Sequence, residues 1–343
     1  MIEMTIVALL LASNAASLEV RVPGPAGTLG GTLTVPGRGR ARLPAVVTLT
    51  GSGAHHRDGN RTPEHPYRPF REIAEALAGC GIATLRLDDR GVGASAGDAN
   101  AAAAEDTAAD AHAALRFLRA RPDIDLRRVG LIGHSYGGQI APMVAAEDPA
   151  VAAVVLLADP AHPFRETMRY QHRYRIGNDP TIAPADRDAA LEEAMRQQEA
   201  NVAASTEAWR RSIQDRDPLP TARRLRMPVL ILHGLTDRAV DPEDARLLEV
   251  AIRENGNRRV ERRLFPGVNH HFQRDAIGAR EGYDRLPTQT LAPEVPAALC
   301  SWLRASLRQA PAITRPARRS SRGARGSEPP RMFGHVRQPR FPT

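Results

Sequence analysis

Gly133-His134-Ser135-Tyr136-Gly137 sets a serine between two glycines, after the apolar run RVGLIG and before a stretch with helical spacing. The setting fits G-x-S-x-G at a strand-to-helix turn, where the hydroxyl is lifted above the strand ends and the glycines let neighbouring backbone pass closely. The chemistry open to such a serine is nucleophilic attack through Oγ. It needs a base, an acid that orients the base, and donors for the charge that develops. In this arrangement the partners follow in the order serine, acid, histidine. Asp237, in GLTDRAV, lies just past the apolar run PVLILHG, at a strand's carboxyl end where functional loops gather. Its other reading is a turn or capping aspartate, a role that Asp241 before Pro242 fits better. His270 and His271 follow RVERRLFPG in GVNHHFQ, and residue types alone leave that pair open.

Two backbone donors are expected to complete the site. One is the N–H of Tyr136, directly after the serine, and the other comes from the loop GSGAHHRD that follows PAVVTLT. Gly51 and Gly53 allow that backbone to approach a substrate closely, so Ser52 is the candidate donor, with Gly53 next along. The remaining histidines read more plainly. His134 fills the variable position of the turn, His233 ends a strand and packs, and His55 and His56 are adjacent, a poor spacing for ligands on one metal. No metal or cofactor is called for.

The elements that must hold these residues follow from periodicity. SLEVRV and GGTLTVP read as an opening antiparallel pair. Buried strands follow at residues 44–50, 82–87, in RVGLIG, in VAAVVLLA and in PVLILHG, with a more exposed last strand in RVERRLF. Helices are expected at 70–78, 104–121, 139–146 and 293–307. The second carries an apolar stripe through Ala108, Ala111, Leu115 and Leu118. Helices alternating with near-continuous apolar strands imply an α/β class with a mostly parallel sheet covered on both faces. About 65 residues separate two of these strands, far more than a crossover helix requires. Residues 159–227, rich in Arg, Glu, Gln and Ala, are therefore expected to form an inserted helical cap.

The chain has 343 residues, 42% of them apolar, and a net charge of +8. From Pro311 onward eight arginines face one acid, Glu328, so residues 1–310 are close to neutral and the basic character belongs to a tail. That tail, 309–343, is Pro-, Arg-, Ser- and Gly-rich without periodicity and is expected to be disordered. There is no lysine, which points to compositional bias and not to a dedicated basic surface. No apolar run approaches the ~20 residues of a bilayer span. Residues 1–17 contain TIVALLLAS and NAAS, as a signal peptide would, but MIEM before them lacks a basic residue. The location is thus cytoplasmic, or exported if 1–17 acts as a signal. Cys80 and Cys300, far apart in helix-like contexts, read as buried thiols.

Taken together, LTGSGAHHRDG, LRLDDRGVGAS, GLIGHSYGGQIAP, LILHGLTDRAV and FPGVNHHFQ resemble the α/β-hydrolases. The nearest likeness is to a bacterial subgroup of esterases classed with serine aminopeptidase-like hydrolases. The resemblance runs from about Leu18 to Leu307, with all motifs in order, which makes 18–308 one α/β-hydrolase domain. It implies His270 as the histidine of a Ser135, Asp237, His270 triad, and an acyl-enzyme mechanism on a small-molecule ester. Tyr136 stands where such proteins often have glutamate, which alters the pocket and leaves the backbone donor intact. DDRGVGAS lacks the Lys-Ser/Thr ending of a phosphate loop and reads as a tight turn buttressing the site, with Asp89 and Arg90 as an ion pair.

Other readings stay open. The same apparatus serves an aminopeptidase, an acyl-peptide hydrolase or a thioesterase. An aminopeptidase would want a carboxylate near the cap, where Glu192, Glu193 and Glu199 lie on what reads as a solvated helix face. A catalytically silent binding fold is the alternative of another class. The arginine tail could hold phosphate non-specifically, but it has only Phe333 and Phe341 as stacking residues, so no specific nucleic-acid partner is expected.

Overall fold

Pro25 and Ala26 make a two-residue turn that pairs β1 (Ala16–Gly24) with β2 (Gly27–Val35), Gly24 opposite Gly27. From there a computed structural model describes residues 15–37 and 41–308. Most of the N-terminal apolar segment and the whole arginine-rich tail lie outside the described residues. β3 (Leu43–Leu49), α1 (Pro69–Gly79), β4 (Ala83–Leu87), α2 (Ala104–Ala120), β5 (Ile124–His134), α3 (Tyr136–Glu147) and β6 (Val154–Leu157) follow in alternation. The eight-stranded sheet has the order β1-β2-β4-β3-β5-β6-β7-β8, completed by β7 (Val229–Gly234) and β8 (Val260–Phe265). β1, β2 and β4 pair antiparallel, and every pair from β4–β3 to β7–β8 is parallel.

The central strands carry near-continuous apolar runs, such as VVLL in β6 and VLIL in β7, because both faces are covered. Val46, Ile132, Val155 and Leu230 face the cluster built with α1 and α9 (Glu294–Ser306). Their neighbours Val47, Leu131, Val154 and Val229 face α2, α3 and α8 (Asp244–Glu254). Each fully buried aliphatic side chain contributes about 1.5–3 kcal/mol against well under 1 kcal/mol for an exposed ion pair, so these strands hold the sheet together. β8, an edge strand, is half-buried along its middle.

Between β6 and β7 the chain forms α4 (Phe164–Gly177), α5 (Arg187–Ala204), α6 (Ala208–Ile213) and α7 (Leu219–Ala222). Among the described residues no helix is long and apolar enough to cross a membrane. The helix α8 has no counterpart in the periodicity reading. Its apolar stripe, Ala245, Leu248, Ala251 and Ile252, is interrupted by arginines and glutamates on the exposed face.

The two cysteines are not free thiols. Cys80, capping α1, and Cys300 in α9 form a disulfide with their Cα atoms 6.0 Å apart. The pairing follows from α1 and α9 lying side by side on one face of the sheet, a proximity that 220 residues of separation conceal. Closing so long a loop restricts the unfolded chain, so Cys80→Ser is expected to cost about 2–4 kcal/mol of stability. Equal falls in Tm for the variant and for the reduced parent are the expected reading. An unchanged Tm in both would remove the bridge from the stability account.

Candidate active site

Ser135 ends β5 and caps α3 with φ 53° and ψ −118°, a left-handed backbone that a side-chain-bearing residue adopts only at a cost of about 1–3 kcal/mol. Its N–H donates to the Leu157 carbonyl at 2.8 Å, and its own carbonyl accepts the Gly138 N–H at 2.8 Å. The glycines are steric necessities. A β-carbon on Gly133 would meet the Gly137 carbonyl, and one on Gly137 would meet the carbonyls of Leu49 and Thr50. The turn thus packs directly on the end of β3. Among the described residues the Ser135 hydroxyl has no hydrogen-bond partner, and it lines a cavity of about 520 Å³.

Asp237 follows β7 and is fully buried. Its Oδ1 accepts the N–H groups of Ala239 at 2.7 Å and Val240 at 2.9 Å, and its Oδ2 accepts from His270 Nδ1 at 2.7 Å. His233 Nε2 reaches the same Oδ2 at 3.1 Å. Burial alone would push this carboxyl up, but the charge of His270 and the hydrogen bonds from both histidines hold it well below the usual carboxylate range. α4 fastens the loop from outside: the Tyr170 hydroxyl donates to the Asp237 carbonyl at 2.9 Å and Gln171 Nε2 donates to the Ala239 carbonyl at 2.8 Å.

The two adjacent histidines are separated by their surroundings. His271 lies between Tyr67, stacked at 5.5 Å, and Tyr283, at 4.7 Å, and burial pushes it well below its ordinary value. The Tyr67 hydroxyl donates to its carbonyl. It is a packed, neutral ring, whereas His270 is the one that meets a carboxylate. His134 also has a task beyond filling a variable position. Its Nε2 donates to the His270 carbonyl at 3.0 Å, and burial pushes its pKa down to about 3, so it braces His270 as a neutral ring. The sequence reads His233 as a packing residue and His134 as the variable position of the turn, because nothing local marks a neighbour brought in by another strand.

Ser52 and Tyr136 line the same cavity as Ser135 and His270. The Tyr136 N–H lies in the first turn of α3, where backbone N–H groups have no intrahelical acceptor. The Tyr136 hydroxyl lies 3.3 Å from Thr107 Oγ1 and its ring packs 5.4 Å from Trp209 of α6, another residue of the cavity wall. The Asp89–Arg90 ion pair expected from the sequence does not form. Arg90 pairs with Asp106 and Asp110 of α2, and Asp88 takes the Arg57 guanidinium at 2.7 and 3.1 Å. Asp89 instead accepts from the Thr50 hydroxyl and from the His55 N–H. The reason is direction: successive residues at a strand end point to opposite sides, so neighbours in sequence seldom pair.

The cavity wall is mixed: Phe70, Ile73, Phe164, Trp209 and Phe272 supply apolar surface, and Asn60, Arg61, Gln139 and Arg210 are among its polar residues. Glu192, Glu193 and Glu199 do not line it. They sit exposed on α5, paired with Arg169, Arg196 and Arg165. Its acids are Glu207, bound to Arg210 and to the Trp209 indole N–H, and Asp284, beside His65.

A family profile described as serine aminopeptidase, S33, matches residues 64–276. Among curated proteins the chain is similar to esterase EstD of Thermotoga maritima, at 29% identity over 246 residues that make up 71% of this chain and 57% of that one. It is also similar to thiohydrolase apmlB of Arthrinium phaeospermum, at 33% over 99 residues, 28% and 31% of the two chains. The chain thus spans little more than half the length of the first relative and under a third of the second. Among solved structures it shares its fold with the Pyrococcus furiosus esterase Pf2001, at TM-score 0.56, 16% identity and coverage of 86% and 91%. The α/β hydrolase GrgF from Penicillium sp. sh18 superposes at TM-score 0.57, with 19% identity and coverage of 86% and 99%.

Proposed function

This chain belongs to the serine aminopeptidase S33 family of α/β-hydrolases, and from that premise we propose that it is a serine esterase acting on small-molecule carboxylic esters. The observation that carries the reading is the Asp237–His270 contact of 2.7 Å in the wall of the cavity that Ser135 lines from a strained turn. In the first step Ser135 Oγ bonds to the ester carbonyl carbon while its proton passes to His270 Nε2. The Tyr136 and Ser52 N–H groups hold the oxyanion. His270 then protonates the departing alcohol oxygen as the C–O bond breaks. Water, deprotonated by His270, attacks the acyl-enzyme and releases the acid and the free serine. Asp237, ionised throughout, keeps the proton of His270 on Nδ1 and compensates the imidazolium.

An ester is favoured over a peptide with a free amino group because the acids of the cavity are already engaged and the cap glutamates lie elsewhere. A cavity of about 520 Å³ with Phe70, Ile73, Phe164 and Trp209 in its wall suits short to medium acyl chains. The test is a panel of p-nitrophenyl esters of graded acyl length beside aminoacyl-p-nitroanilides. Turnover of the short and medium esters, with none of the anilides, is the expected result. Anilides turned over as readily as esters would overturn the ester assignment and leave the serine mechanism standing.

A further inference from the structure

Three charged residues follow β4, and they behave differently. Asp88 and Arg90 spend their charges on Arg57 and on α2, which makes them struts of the fold. Among the described residues no arginine pairs with Asp89. His55 Nδ1 lies 3.9 Å away, and burial pushes that ring down to about 4, so it is neutral. The carboxylate oxygens go to the two ends of one short segment. The Thr50 hydroxyl donates to them at 2.8 and 2.9 Å, and the His55 N–H donates to Oδ2 at 2.9 Å. The Asp89 N–H returns a bond to the His55 carbonyl at 3.1 Å.

We propose that Asp89 is a positioning residue for the reaction: by gripping Thr50 and His55 it holds residues 51–54, and with them the Ser52 N–H, against the serine turn. The inference rests on the serine-esterase reading above. Two further observations carry it. A β-carbon on Gly51 would stand 3.8 Å from the Ser135 β-carbon, so the segment lies against the nucleophile's turn and a small displacement moves the donor relative to Oγ. Behind the segment is a second cavity of about 80 Å³, lined by Thr50, Gly51, Gly53 and Asp89, so packing on that side leaves it room to move. Asp89 is half-buried beside this segment, and burial raises its pKa to about 7.

Asp89→Ala, Asp89→Asn and Thr50→Val, assayed with p-nitrophenyl butyrate beside Ser135→Ala, test the assignment. Asp89→Ala removes both side-chain grips and leaves only the backbone bond to the His55 carbonyl, and misplacing one oxyanion donor lowers kcat by about 10²–10³-fold. KM and Tm should stay close to the parent's. Asparagine can accept the His55 N–H through its oxygen and donate to the Thr50 hydroxyl through its nitrogen, so Asp89→Asn should restore most of kcat. Thr50→Val, which removes one grip, should fall between. A parental kcat in Asp89→Ala overturns the proposal, as does a kcat loss that follows Tm and is not restored by asparagine. Parental turnover in Ser135→Ala would instead sink the esterase reading on which the inference stands.

Discussion

Ser135→Ala should lower kcat on p-nitrophenyl esters by about 10⁴- to 10⁶-fold, the loss seen when a serine nucleophile is removed from an otherwise intact site. The structure indicates why the change should be confined to chemistry. The Ser135 backbone bonds to Leu157 and Gly138 do not involve the side chain. Alanine has the same β-carbon as serine and meets the same left-handed φ of 53°. The hydroxyl has no hydrogen-bond partner among the described residues, so removing it leaves no orphaned group. Stability should change by no more than about 0.5 kcal/mol. Thermal unfolding and ester turnover measured on the same preparation separate the two effects, and labelling of the parent but not the variant by a fluorophosphonate identifies the nucleophile. Hydrolysis by the variant at the parent's rate would end the serine mechanism.

Asp237→Asn should cost about 10⁴-fold in kcat, with the fold again intact. The argument comes from the other half of the carboxylate. Oδ1 accepts the N–H groups of Ala239 and Val240, and only an oxygen can do so. An asparagine must therefore keep its oxygen there and turn its NH₂ toward His270 and His233. His270 Nδ1 then has to accept, which moves the ring proton to Nε2, the atom that must take the serine proton. The variant holds the right ring in the right place with the wrong tautomer. A fall in kcat with KM near the parent's is the expected signature, because substrate contacts are untouched. Asp237→Asn at parental kcat would show that the acid acts from elsewhere. The buried Asp159, whose carboxylate oxygens have no partner among the described residues, would then be the next position to test.

The elements that position the site were legible because each announces itself locally. Strands buried on both faces read as near-continuous apolar runs, as in VVLL and VLIL. The serine turn was legible for a steric reason: only glycine clears the carbonyls that crowd positions 133 and 137. α8 was missed because its short stripe is embedded among charges, and α3 starts at Tyr136, earlier than periodicity suggested, because its first residues are glycines and a tyrosine turned sideways.

By itself, then, the sequence determined the strand-helix alternation, the turn that exposes Ser135, and the two later segments that carry Asp237 and His270. Each is a short-range pattern, set by a residue's own conformational limits and by neighbours within a few positions. Residue types left the two adjacent histidines open, the family resemblance pointed to His270, and the tertiary structure supplies its contact with the carboxylate. The tertiary structure alone decided the approach of His233 to Asp237, the bracing of His270 by His134, the Cys80–Cys300 bridge and the partners of Asp89. Those pairings join residues that only the strand order β3-β5-β6-β7-β8 and the packing of helices on its faces bring within bonding distance. A side chain's partner is fixed by the direction in which its strand end or loop delivers it, and that direction is a property of the assembled sheet.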